Sequence, residues 1–230
     1  MEEKKEQKQT ATPRVDLQAF KAILQKRAPV AARFSIDARH YAADVPEMLK
    51  LCYQREVEKR CRCFREDEAT ERHIASVAKW LTGSSPKPGL FLYGNIGSGK
   101  TTMARAAATL INMLYGNEYR YEDRKGVVTI SALQLAEAAK TEDDRSYSRF
   151  KNTELLHIDD VGTEPPNVKV WGNEVSPLTD ILYSRYDQML YTVITSNLYE
   201  DDIVQRYGER IADRFREMFD LLSFENKSYR

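Results

Sequence analysis

Residues 90–102 read Leu-Phe-Leu-Tyr-Gly-Asn-Ile-Gly-Ser-Gly-Lys-Thr-Thr. The apolar run Leu90, Phe91, Leu92 and Tyr93 predicts a buried strand, and Gly94 turns the chain out of it. Gly94, Gly99, Lys100 and Thr101 occupy every fixed position of the phosphate-loop pattern G-x-x-x-x-G-K-[ST]. Across Gly94, Asn95, Ile96, Gly97, Ser98 and Gly99, such a loop turns its backbone N–H groups around phosphates, and the helix behind it presents its positive end. Lys100 is expected to stand exposed at the loop and to reach the β and γ phosphates of a nucleoside triphosphate, with the Thr101 hydroxyl on Mg²⁺ and Thr102 following in the first helical turn. Met103, Leu110, Ile111 and Leu114 give that helix its apolar face.

Downstream, Glu154 to Gly162 reads Glu-Leu-Leu-His-Ile-Asp-Asp-Val-Gly. Leu155, Leu156 and Ile158 predict a central parallel strand that ends in two carboxylates, at the sheet edge where ligands of open α/β sheets bind. Asp159 is placed to order Mg²⁺ and Asp160 to orient an attacking water, while His157 reads as a packed core residue. Tyr191 to Asn197 is a further strand, and Asn197 at its end could bond the γ-phosphate or the water. Arg210 and Arg214, four apart, share one face of a helix, either solvated or as an arginine finger for a neighbouring subunit. Leu221 to Phe224 predicts the last strand.

Upstream, residues 1–13 are charged and aperiodic and read as a disordered tail. Residues 14–63 read as a helical partner-binding region. Leu17, Phe20, Ile23 and Leu24 mark one helix; a second starts near Asp44-Val45-Pro46 and runs into the basic segment Lys59 to Cys63. A third spans Glu71 to Leu81 and leads into a nucleotide domain of residues 64–230. Cys52, Cys61 and Cys63 with His73 lack zinc-knuckle spacing and read as reduced thiols. Ser131 and Gln134 form a capping box. The stretch 140–152 mixes Lys140, Arg145, Arg149 and Lys151 with Tyr147 and Phe150, which suits either single-stranded nucleic acid or an ordinary solvated helix. The 35 basic and 35 acidic residues cancel, so any basic surface is local. No secretory leader or membrane span is expected, and a cytoplasmic location follows.

The segments GNIGSGKT, LLHIDDVG, TVITSNL and GERIADRFREM, in this order, resemble the AAA+ ATPases of the bacterial helicase-loader group (DnaC-like) and the IstB-like transposition helper ATPases. The resemblance covers roughly residues 64–230, and the run from Tyr207 to Met218 with the final Ser228-Tyr229-Arg230 favours the loaders. It implies an α/β P-loop fold with a five-stranded parallel sheet, Lys100 and Thr101 as Walker A, Asp159 and Asp160 as Walker B, and Asn197 as sensor 1. It further implies Arg210 as the arginine finger and Arg230 as a sensor-2-like residue. The expected partners are single-stranded DNA, a replicative helicase and further copies of the chain in a ring or spiral, no membrane being involved. A transposase is the alternative partner. Asp160 stands where many AAA+ proteins carry Glu, which implies slow or switch-like hydrolysis. Two competitors come from other classes: a small-molecule kinase, disfavoured by the position of the arginines, and a nucleotide-gated DNA-binding module that hardly hydrolyses ATP.

Overall fold

The computed structural model describes residues 16–26, 33–37, 41, 43–116, 120–121, 124–140, 144–170 and 172–230. The tail of residues 1–13 lies outside them. Contacts divide the chain into two compact units, residues 1–32 and 33–230. In the first, α1 runs Leu17–Lys26, and Asp16 Oδ1 caps it by accepting the backbone N–H groups of Gln18 and Ala19 at 2.9 and 3.2 Å. Sequence patterning divides the chain at 63/64 instead; in the structure residues 33–63, where described, belong to the same unit as the nucleotide domain.

The second unit opens with α2 (Val45–Glu58), α3 (Glu68–Leu81), β1 (Gly89–Gly94), α4 (Lys100–Tyr115), β2 (Arg120–Tyr121) and β3 (Arg124–Lys125). It continues through β4 (Val128–Ser131), α5 (Ala132–Lys140), α6 (Asp144–Asn152), β5 (Leu155–Val161), β6 (Val168–Val170) and β7 (Asn173–Val175). It ends with α7 (Pro177–Asp187), β8 (Tyr191–Ser196), α8 (Glu200–Tyr207), α9 (Glu209–Met218) and β9 (Phe219–Phe224). Five strands form one parallel sheet in the order β4-β5-β8-β1-β9, the expected sheet. Two antiparallel ribbons, β2–β3 and β6–β7, stand apart from it and are unmarked by apolar patterning.

Side chains alternate across the sheet and so build two cores. Leu90, Leu92, Leu155, Tyr191 and Val193 face α2, α3 and α4, joined there by Leu49, Ile74, Val77 and Ile111. Phe91, Leu156, Ile158 and Ile194 face the other way, against Leu135, Phe150, Ile181, Ile203 and Phe215. The result is a three-layer α/β unit whose sheet is covered on both faces.

Several helix ends differ from the pattern. α3 begins three residues before Glu71, because Asp67 Oδ1 accepts the Thr70 N–H at 2.7 Å and sets the cap there. α2 starts where Asp44 and Pro46 predict, although the Asp44 side chain makes no capping bond. It stops at Glu58, so Lys59 to Cys63 is a turn, and Cys61 adopts φ +55°. Ser131 and Gln134 do form the capping box, with both reciprocal bonds at 3.1 Å.

Candidate nucleotide-binding site

β8 lies between β1 and β5, so three strand ends converge on one edge: the phosphate loop from β1, the carboxylates from β5 and Asn197 from β8. There a cleft of about 810 Å³, within the usual range for a small-molecule site, is lined by Ile96 to Thr102, Asp159, Asp160, Asn197 and Arg230. The loop is tight. Gly99 holds φ +103°, and a β-carbon there would stand 2.6 Å from the Tyr53 hydroxyl. Gly94, at φ +120°, would meet the Phe224 carbonyl at 2.6 Å, which lets β1 and β9 run side by side. Asn95 takes part from below, its N–H donating to Phe224 O at 2.9 Å, and Ile96 is exposed.

Lys100 corrects an expectation. It is buried, with 6% of its surface exposed, because the loop curls over it. Its Nζ donates to Gly94 O at 2.9 Å, Asn95 O at 2.7 Å and Asn197 Oδ1 at 2.9 Å. Burial lowers its pKa to about 8, against the pull of Asp160. Asn197 is thereby placed beside the ammonium group that the motif aims at phosphate.

Asp159 is buried and strongly oriented. Thr195 Oγ1 donates to its Oδ1 at 2.6 Å and Thr101 Oγ1 to the same oxygen at 2.9 Å; Arg105 Nη2 reaches Oδ2 at 3.3 Å. Burial pushes its carboxyl up, but the Thr195 bond, with Thr101 and Arg105, holds it below the ordinary carboxylate value. Asp160 sits at a register shift between β5 and β8, at φ +57°, and its N–H donates to Thr195 Oγ1 at 2.9 Å. Burial and the neighbouring Asp159 raise its pKa. A carboxylate and a hydroxyl 2.9 Å apart on one cleft wall are the hard oxygen donors that suit Mg²⁺. Thr101 and Asp159 therefore fit the ion. His157 is buried in the strand, as expected, and burial lowers its pKa to about 4.

Arg230 is brought to the cleft by the last residues, which lie across the loop. Tyr229 N–H donates to Gly97 O at 3.0 Å, and Asn226 Nδ2 to Ser98 O at 3.2 Å. The Tyr229 phenol meets Thr70 Oγ1 at 2.9 Å and Asp67 Oδ1 at 3.1 Å. Arg210 does not line the cleft; it is exposed on α9, its guanidinium 5.7 Å from the Tyr183 ring. Arg214 is tied down by Glu217 at 3.0 Å and stacks on Tyr186 at 4.8 Å, so Arg210 is the more available of the two.

The helix α6 loses its stacking surface. Tyr147 and Phe150 are buried, the Tyr147 hydroxyl donating to Pro177 O at 2.8 Å. Lys140 pairs with Glu137 and Lys151 with Asp180, both at 2.6 Å; the Arg145 side chain lies outside the described ones. Cys52 is buried while Cys61 and Cys63 are exposed free thiols, and among the described residues no three His, Cys, Asp or Glu gather as metal ligands. Also among the described residues, no helix is long and apolar enough to cross a membrane.

Sequence patterning misses four residues. Thr195 orients both Asp159 and the Asp160 backbone, and only its place two residues before Asn197 hints at this. Arg105 carries the only sequence signal of the others, one helical turn after Thr101. Arg60 reaches Thr102 Oγ1 at 3.2 Å from the turn after α2. Glu164, 2% exposed, accepts the Gly162 N–H at 2.8 Å and the Tyr207 hydroxyl, and Arg206 donates to its carbonyl.

No family model matches the chain, and no curated protein does. Solved structures do. The DnaC helicase loader aligns over 70% of this chain and 93% of its own at 22% identity, with a TM-score of 0.56. DnaI aligns over 73% and 87% at 20% identity, with a TM-score of 0.54. AMPPCP-bound DnaA from Aquifex aeolicus aligns over 71% of this chain at 22% identity, with a TM-score of 0.52; the match spans 49% of the DnaA chain, about half its length. The chain shares with these structures its α/β fold, helices on both faces of a five-stranded parallel sheet.

Proposed function

We propose that the chain binds and hydrolyses ATP, assembles on single-stranded DNA, and loads or remodels a replicative helicase. One observation carries the nucleotide half of this reading. A set of two hydrogen-bonded groups, Lys100 with Asn197 and Thr195 with Asp159 and Thr101, stands across the ends of three strands at the cleft. In that set Lys100 binds the β and γ phosphates, and Asn197 fixes the ammonium and the γ-phosphate side of the site. Thr195 and Thr101 hold Asp159 ionised; with Thr101 it holds Mg²⁺, which supplies charge neutralisation on the phosphate oxygens. Asp160, its pKa raised, accepts the proton of the attacking water. Its short side chain, together with Arg210 lying away from the cleft, favours slow and assembly-dependent turnover, with Arg210 serving a neighbouring copy. Arg230 adds charge over the cleft.

The DNA and helicase half rests on fold alone: the neighbours include a helicase loader and DnaI. Within it, the helical region of residues 14–63 is the docking element for the partner. ATP binding and turnover measured with and without single-stranded DNA test the first half, and pull-down against a replicative helicase and against a transposase tests the second. Capture of the transposase alone would turn the reading to the IstB-like helper. Tight ATP binding with no turnover in any assembly would leave a nucleotide-gated DNA-binding module.

A further inference from the structure

We infer that Arg60 is a nucleotide-binding residue holding the phosphates that ATP and ADP share, so that the turn after α2 is a wall of the site. The inference rests on the nucleotide-binding reading above and adds a binding residue that the phosphate-loop motif does not contain.

The turn is built to face the cleft. α2 ends at Glu58, and Cys61 then takes φ +55°, a conformation rarely adopted by residues with a β-carbon. That reversal turns Arg60, Arg62, Phe64 and Arg65 onto the cleft wall. Arg60 Nη1 donates to Thr102 Oγ1 at 3.2 Å, which sets the guanidinium against the first turn of α4, one residue beyond Thr101. A guanidinium has five N–H donors, and this bond uses one.

Charge balance supports the same conclusion. Among the described residues no carboxylate pairs with Arg60, Arg62, Arg65 or Arg230, all of which line the cleft. Unpaired guanidinium groups converging on one cavity repel one another unless an anion joins them.

Position along the cleft fixes which part of the anion Arg60 meets. Lys100, Asp159, Asp160 and Asn197 mark the end where phosphate is transferred. Tyr53, Val57, Phe64 and Thr70 also line the cleft and give it uncharged surface suited to a nucleoside. Arg60 bonds Thr102 in the first turn of α4, behind the loop whose backbone N–H groups cradle the α and β phosphates of a bound nucleotide. It is therefore aimed at the phosphates between nucleoside and transferred group.

Calorimetric or fluorescent-nucleotide titration of ATP and ADP into the full chain tests this, with Arg60→Ala, Arg60→Gln and Arg60→Lys. Loss of a charge-assisted phosphate contact should weaken ATP and ADP by a similar factor, roughly 10- to 100-fold, in both Arg60→Ala and Arg60→Gln. Arg60→Lys should recover part of the loss. Arg230→Ala serves as contrast and should weaken ATP more than ADP. Folded Arg60 variants that bind both nucleotides as wild type does, or that lose ATP alone, overturn the assignment. Wild-type chain that binds neither nucleotide removes the nucleotide reading itself, a result that cannot be mistaken for the first.

Discussion

Lys100 is a cation held out of water by the carbonyls of its own loop and by Asn197, and this burial makes it responsive to phosphate. A desolvated ammonium with pKa lowered to about 8 gains more from an arriving anion than a solvated one does. Lys100→Ala should therefore reduce ATP affinity by roughly 10-fold or more while the protein still melts cooperatively, since a costly buried charge leaves with it. Unchanged affinity in a titration would sink the phosphate-loop assignment. His157 offers a second test at this scale. Its folded pKa of about 4 lies below its unfolded value of 6.5, so on acidification the unfolded chain takes up the proton first. Stability is thus fully present above pH 6.5 and falls as pH drops towards the folded value, by about 2 kcal/mol between pH 7 and 5. His73, also lowered by burial, adds in the same direction. Urea melts of His157→Leu at the two pH values should show a shallower loss than wild type, and an equal loss would mean that the ring is charged in the fold.

Among the elements, the turn after β5 and the junction of α8 with α9 are joined by one side chain. The Glu164 carboxylate holds the Gly162 N–H two residues past Asp160 and also the phenol of Tyr207, one residue before the Gly208 that opens α9. The link gives the Asp160 turn a mechanical connection to the helix that carries Arg210. Glu164→Ala leaves the part-buried Gly162 N–H and the Tyr207 hydroxyl proton without their acceptor and should cost about 1–3 kcal/mol of stability. On the proposed function, its turnover should drop with ATP affinity nearly unchanged. Parallel losses of affinity and turnover would show instead that the whole site had loosened.

At the scale of the whole molecule, the cleft of one copy lacks the arginine that α9 displays on its surface. If turnover needs Arg210 from a neighbour, specific activity should rise with protein concentration or with a DNA scaffold, by up to ~10³-fold. Mixing supplies the sharper measurement. Arg210→Ala retains an intact Lys100, and Lys100→Ala retains an intact Arg210, so a mixture should regain activity that neither variant has alone. Inactive mixtures from proteins that still co-assemble, or full activity in dilute monomer, would remove the finger assignment.

What was legible in the sequence was local. The phosphate loop, the Asp159-Asp160 pair, the five strands and the Ser131–Gln134 box can all be read because spacing along one segment dictates which groups stand together. Parallel pairing of β1, β5 and β8 then follows from their apolar runs. Contacts across sequence could not be read in this way. Thr195 meets Asp159 from 36 residues away, Arg60 meets Thr102 from 42, and Tyr207 meets Glu164 from 43. Each depends on which strand lies beside which and on where a helix stops, here at Glu58 rather than within the basic segment Lys59 to Cys63. Lys100 shows the same division within a single residue. Its identity was fixed by the motif, but its burial was decided by the loop closing over it and by Asn197, 97 residues along the chain, arriving on a neighbouring strand.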